Sequence, residues 1–128
     1  MKKWILLLLA VMMLTACGQT NHEIQEAVYV TITAEEAKQI MDSEEGYIIL
    51  DVREQDEYDA GHIPGAILIS HEEIAEKAEE VLTDKDQLIL VYCRSGRRSK
   101  IAAEALVELG YTNIKEFGGI IDWPYEVE

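Results

Sequence analysis

The chain has 128 residues, enough for one domain with a real core and too few for two of ordinary size. Asp and Glu number 25 against 11 Lys and Arg, a formal net charge of −14, which argues against a nucleic-acid partner.

Residues 1–16 differ in kind from the rest. Lys2 and Lys3 form a basic head, Ile5 to Leu14 is an unbroken apolar run, and Leu14-Thr15-Ala16 ends on small residues, the layout of a secretory signal. The run is shorter than the roughly 20 apolar residues that span a bilayer, so a cleaved signal is favoured over a permanent helix. Leu14-Thr15-Ala16-Cys17 also resembles the lipobox of bacterial lipoproteins, whose cysteine is acylated. Two or three chains on Cys17 would anchor the domain stably at the outer face of the membrane. The alternative is a disulfide between Cys17 and Cys93, since an even cysteine count in an exported chain suggests pairing. Lipidation would leave Cys93 as the only thiol of the mature chain. Loss of Lys2 and Lys3 leaves nine basic residues against 25 acidic ones, a net charge near −16.

Residues 17–27 are polar and aperiodic, as expected of a tether. The domain, 28–128, then begins with the β-branched run Val28-Tyr29-Val30-Thr31-Ile32. Thr33-Ala34-Glu35-Glu36 has the form of a capping box, opening a helix with Ala37, Ile40 and Met41 inward. Tyr47 to Leu50 and Ala66 to Ile69 are two short apolar runs expected to be strands buried on both faces. Ser70-His71-Glu72-Glu73 predicts a second capping box, with Ile74, Ala75, Ala78, Val81 and Leu82 following at helical spacing. After the apolar stretch Leu88 to Tyr92, Ile101, Ala102, Ala105, Leu106 and Leu109 make a helical stripe that ends at Gly110. Thr112 to Phe117 is a last short strand, and Gly118-Gly119 starts an irregular tail in which Trp123 packs down. Continuous apolar strands alternating with amphipathic helices predict an α/β fold, a parallel sheet covered on both faces.

In such sheets sites form at the carboxyl ends of strands, and Cys93 lies at one. It opens Cys93-Arg94-Ser95-Gly96-Arg97-Arg98-Ser99, a turn from strand to helix. Only the thiolate is a good nucleophile, and guanidinium groups and a helix N-terminus both favour it. Gly96 permits the unusual dihedral that lets backbone N–H groups curl around the sulfur. Arg94, Arg97, Arg98 and Lys100 place a local positive site in an acidic chain, which suggests a small anion.

Three stretches in order resemble the signatures of the rhodanese (sulfurtransferase) family: Leu50-Asp51-Val52-Arg53-Glu54 with Glu57-Tyr58, Gly61-His62-Ile63-Pro64-Gly65-Ala66-Ile67, and the Cys93 loop. Phe117-Gly118-Gly119 with Trp123 resembles the family's usual ending, so the likeness covers roughly residues 28–125. The resemblance implies a central parallel sheet of about five strands and a persulfide on Cys93 as the intermediate. It implies a thiosulfate-type donor, with Ser95 and Gly96 in the cradle, Arg94 and Arg98 binding the donor and Arg97 more peripheral, and a thiol or cyanide as acceptor. No cofactor or metal is expected.

His62 invites assignment as a general base, but its place in the Gly-His-Ile-Pro-Gly turn favours a structural role. Asp51 and Arg53 are expected to form an internal ion pair near the loop. His71 and the paired glutamates look solvated. Tyrosine phosphatases and arsenate reductases of rhodanese-like fold are a rival reading, but their pattern needs arginine at position 99, where this chain has Ser99. A non-enzymatic persulfide carrier or an inactive binding module are further alternatives, although an inactive module usually lacks the loop cysteine.

Overall fold

The computed structural model describes residues 28–128, so the signal segment 1–16, Cys17 and the tether 17–27 lie outside the described residues. The elements in chain order are β1 (Val30–Thr31), α1 (Ala34–Ser43), β2 (Ile48–Asp51), α2 (Gln55–Ala60), β3 (Ile67–Leu68), α3 (Ile74–Val81), β4 (Ile89–Cys93), α4 (Arg97–Glu108) and β5 (Ile114–Gly119), with single 3₁₀ turns at His71–Glu73 and Ile120–Asp122. All strand pairs are parallel, in the order β1-β5-β4-β2-β3. This is the expected α/β fold, with five strands and helices on both faces.

Period-two alternation along the strands divides the interior into two cores. Leu50, Ile89, Val91 and Cys93 face α3 and α4, where Ile74, Ala78, Ala102, Ala103 and Leu106 meet them. Ile49, Leu90 and Tyr92 face α1 and the C-terminal segment, against Ala37, Ile63, Phe117 and Trp123. Every residue of β4 is buried. Each large aliphatic side chain so enclosed contributes about 1.5–3 kcal/mol of transfer free energy.

The Thr33 capping box forms as expected: Thr33 Oγ1 accepts the Glu36 N–H at 3.1 Å, and the Glu36 carboxylate accepts the Thr33 N–H at 3.3 Å. The second one does not. Ser70 turns its hydroxyl to Glu54 Oε1 at 2.8 Å, and α3 starts later, behind a 3₁₀ turn. Ala75 and Val81 are exposed because α3 buries only the Ile74–Ala78 edge and then Leu82. β3 is an edge strand of two half-buried residues, not a strand buried on both faces. On α4 the buried stripe is Ser99, Ala102, Ala103 and Leu106, while Ile101 is exposed; small alanines let the helix lie close to the sheet. Gly118 and Gly119 belong to β5 rather than to a tail, and Trp123 packs inward as expected. His71 is not solvated: its side chain is 14% exposed and its Nδ1 is buried.

Candidate functional site

Cys93 is the last residue of the central strand, and α4 begins four residues later behind Gly96 as N-cap. Gly96 has φ of 105°, a left-handed conformation that side chains resist. This turn brings the Gly96 N–H to within 3.0 Å of Cys93 Sγ, the curled donor anticipated from the sequence. The sulfur therefore lies beside a backbone donor and the N-terminus of a twelve-residue helix, both favourable to negative charge. The residue is 1% exposed and belongs to the core beneath α3 and α4.

β5 supports the loop from beneath. A register shift between Val91 and Cys93 sets Cys93 opposite Gly119. A Cβ on Gly119 would fall 1.9 Å from the Arg94 carbonyl oxygen and 2.5 Å from Ser95 N. The close approach is held on the far side, where the Ile121 N–H donates to Arg94 O at 3.2 Å.

The arginines are not equivalent. Arg98 makes a two-pronged ion pair with Glu57, Nη1–Oε1 2.6 Å and Nη2–Oε2 2.8 Å. Glu57 also accepts the Glu54 N–H, capping its own helix α2. Among the described residues Lys38, Arg53, Lys77 and Lys85 likewise face a carboxylate, whereas Arg94, Arg97, Lys100 and Lys115 do not. Three of those four cations lie within the loop and the first turn of α4. Arg94, Ser95 and Arg97 are exposed there, while Gly96 is buried.

The Arg98 hydrogen bond holds the Glu57 carboxyl well below its ordinary 4.5, at about 2. A depressed carboxyl contributes stability fully above its unfolded value and loses it as pH falls to the folded one. Glu57→Gln is therefore expected to lower Tm at neutral pH, with the gap to wild type closing between about pH 4.5 and pH 2. A Tm difference independent of pH would show that the pair is not the source.

Asp51 and Arg53 form the expected internal ion pair, Nη2–Oδ2 2.7 Å, with side chains 0% and 6% exposed. They are part of a brace behind the loop. Tyr92, the residue before Cys93, donates its hydroxyl to Asp51 Oδ2 at 2.6 Å and accepts the Ile63 N–H at 3.0 Å. Arg53 reaches on to the Gly61 carbonyl at 2.7 Å. Burial and the Asp51 bond push the Tyr92 phenol well above its ordinary range, so the hydroxyl stays a donor. His62 stacks on Tyr58 with ring centres 3.8 Å apart, and its Nδ1 lies 3.0 Å from Tyr58 O. Its Nε2 is 3.3 Å from Glu128 Oε1, a set of contacts that suits a structural residue.

Two residues at the site were not anticipated. Ser99 and Glu116 are both 0% exposed, and Ser99 Oγ donates to Glu116 Oε1 at 2.6 Å while lying 3.5 Å from Cys93 Sγ. The sequence marks Ser99 as the last residue of the Cys93 loop and as a departure from the phosphatase pattern, without a role of its own. The polar signature of Glu116, inside a run otherwise suited to a strand, was the available signal.

Residues 33–124 match the rhodanese-like domain family. The chain is 40% identical over 98 residues to YrkF of Bacillus subtilis, covering 76% of this chain but only 52% of YrkF. It is 40% identical over 73 residues to thiosulfate sulfurtransferase PspE of Escherichia coli, covering 57% of this chain and 70% of PspE. Among solved structures, a rhodanese-related protein from Thermoplasma volcanium superposes with a TM-score of 0.68 at 33% identity, over 78% of this chain and 98% of that one.

Proposed function

Because the chain belongs to the rhodanese-like domain family, we propose that it is a sulfurtransferase of the thiosulfate type, working through a persulfide on Cys93. The observation that carries this reading is the seat of Cys93 Sγ at the end of β4, 3.0 Å from the Gly96 N–H and beside the α4 N-terminus. The Cys93 thiolate attacks the outer sulfur of thiosulfate, the S–S bond breaks, and sulfite leaves with its electron pair. The same donors that favour the thiolate favour the persulfide anion. An acceptor thiol or cyanide then takes the outer sulfur and restores Cys93.

Thiosulfate is a dianion and the chain is strongly acidic, so the donor needs local cations. Arg94 and Arg97, exposed and facing no carboxylate among the described residues, supply them; Arg98, expected from the resemblance to bind the donor, is instead held by Glu57 and keeps the start of α4 in place. The burial of Ser99 supports a sulfur site over a phosphate site, since the position that a phosphatase needs for arginine is closed and bonded to Glu116. The reading of residues 1–16 as a signal, 17–27 as a tether and Cys17 as the lipidated residue places the domain at the outer face of the cell membrane. In that arrangement Cys17→Ala releases the protein from membranes or blocks its processing.

Incubation with thiosulfate should add one sulfur atom by intact mass and release one sulfite per protein. Absence of an adduct with thiosulfate and with other sulfane donors would sink the proposal. Arg94→Ala is expected to raise KM for thiosulfate about tenfold, the loss of one charge-assisted hydrogen bond, while Lys100→Ala leaves it nearly unchanged. Equal effects would remove Arg94 from the donor site.

A further inference from the structure

Glu116 is a fully buried carboxylate under the Cys93 loop, and nothing in the sulfur-transfer scheme uses it. It accepts three hydrogen bonds: the Thr31 hydroxyl at 3.1 Å on Oε2, and the Gly118 N–H at 2.7 Å and Ser99 hydroxyl at 2.6 Å on Oε1. Among the described residues no Lys or Arg stands within ion-pair distance of it. A buried carboxylate is normally paired with a cation, so the exception requires a reason.

Ser99 supplies one. Its Oγ lies 3.5 Å from Cys93 Sγ, in a contact where the thiol donates, and its own hydrogen points to Glu116. A hydroxyl donates once and accepts twice, so thiol, serine and carboxylate form one continuous chain of donors. Gly96 O, 3.0 Å from the same Oγ, competes for that hydrogen, and the shorter contact with the carboxylate, 2.6 Å, takes it.

We infer that Glu116 is the proton store of Cys93, linked to it through Ser99. As the thiol ionises, its hydrogen passes to Ser99 Oγ while the Ser99 hydrogen passes to Glu116 Oε1. One S–H and one O–H bond break and two O–H bonds form. The products are a thiolate and a neutral carboxylic acid, with no change in net charge and no proton lost to water. Two anions bridged by one hydroxyl away from water would repel each other, and a single shared charge avoids that cost. The Gly96 N–H and the α4 N-terminus draw the charge towards sulfur, and the Gly118 N–H and Thr31 hydroxyl draw it towards the carboxylate. When the thiolate takes sulfur, the charge stays on the persulfide, so Glu116 keeps its proton until the acceptor restores the thiol. Arg98 on α4 also bears on Cys93 and is already tied to Glu57 on α2, while β1 presents Thr31 to Glu116. Glu116 is thus a positioning residue, and the inference rests on the reading of Cys93 as the nucleophile.

The test is the rate of alkylation of Cys93 in the full chain by iodoacetamide across pH, read at the Cys93 peptide by mass spectrometry. A pair sharing one proton titrates in two steps, so the wild-type rate should rise twice. Glu116→Gln and Ser99→Ala should each give a single rise, with alkylation at neutral pH slower by on the order of tenfold. One rise in the wild type overturns the inference without any variant, as do two rises that survive in Ser99→Ala. Alkylation needs no sulfur donor. Two rises in a protein that takes no sulfur would therefore sink the sulfurtransferase reading and leave this one standing.

Discussion

Cys93→Ser is expected to abolish sulfur loading and sulfite release while leaving the fold intact. A serine hydroxyl is almost wholly protonated at neutral pH and is a poor nucleophile without a dedicated base, whereas a thiol gives a thiolate that attacks sulfur readily. No side chain contacting Sγ offers such a base directly: its neighbours are the Gly96 N–H, a donor, and the Ser99 hydroxyl. Removal of a nucleophile acting in a unit of this kind costs on the order of 10⁴-fold or more in kcat/KM. Serine is close in size to cysteine and its Oγ can still accept the Gly96 N–H, so Tm should change little. Intact mass after thiosulfate treatment and a thermal melt check both parts. Sulfur retained on the Cys93→Ser protein would place the intermediate on another group.

Gly119→Ala is the second change expected to have a large effect, though position 119 touches no substrate. The added methyl would lie 1.9 Å from Arg94 O and 2.3 Å from Arg94 C, atoms of backbone that no rotamer change can clear. Either β5 withdraws from β4 or the loop lifts from Gly119, and both move the Gly96 N–H from its 3.0 Å contact with Sγ. Misplacement of about 1 Å at a reacting group can cost on the order of 10²-fold in rate. The expected result is a fall of that size in kcat/KM together with a lower Tm. Full activity in the alanine variant would mean that the loop tolerates displacement and that its close seat on β5 is not needed.

The parts of this architecture that were legible in the sequence were those with a strong local pattern. Leu88 to Cys93 is a continuous apolar run, Gly96 follows at the turn, and a helical stripe comes next, so strand, loop and helix were all placed. Helix α2 was missed because it buries none of its own residues and so carries no apolar period, and because its cap is a glutamate, Glu54, rather than Ser or Thr. The stripe on α4 was rotated towards Ile101, since hydrophobicity favours isoleucine over Ala103, while packing close to a sheet favours the smaller residue. Ser70 had the sequence form of a cap, but Glu54, brought alongside by the fold, takes its hydroxyl. Glu116 and Gly119 depend on residues far away in the chain: the carboxylate on Ser99 and Thr31, the glycine on the path of Arg94. Nothing in the local pattern announces such partners.

The sheet order also has a consequence for the order in which the molecule can be completed. β5, the last of the described strands, lies between β1, the first of them, and β4, so β1 has no strand partner until Lys115 and Glu116 have been made, and Cys93 lacks its neighbour Gly119 until three residues later. A nascent chain that ends before β5 has Cys93 in place but lacks the strand against which its cradle rests, together with Glu116. Non-local pairings of this kind form late, after the entropy of closing the chain has been met. The reactive thiol is therefore assembled as one of the final events of folding, and a fragment truncated ahead of β5 would carry the cysteine without its chemistry.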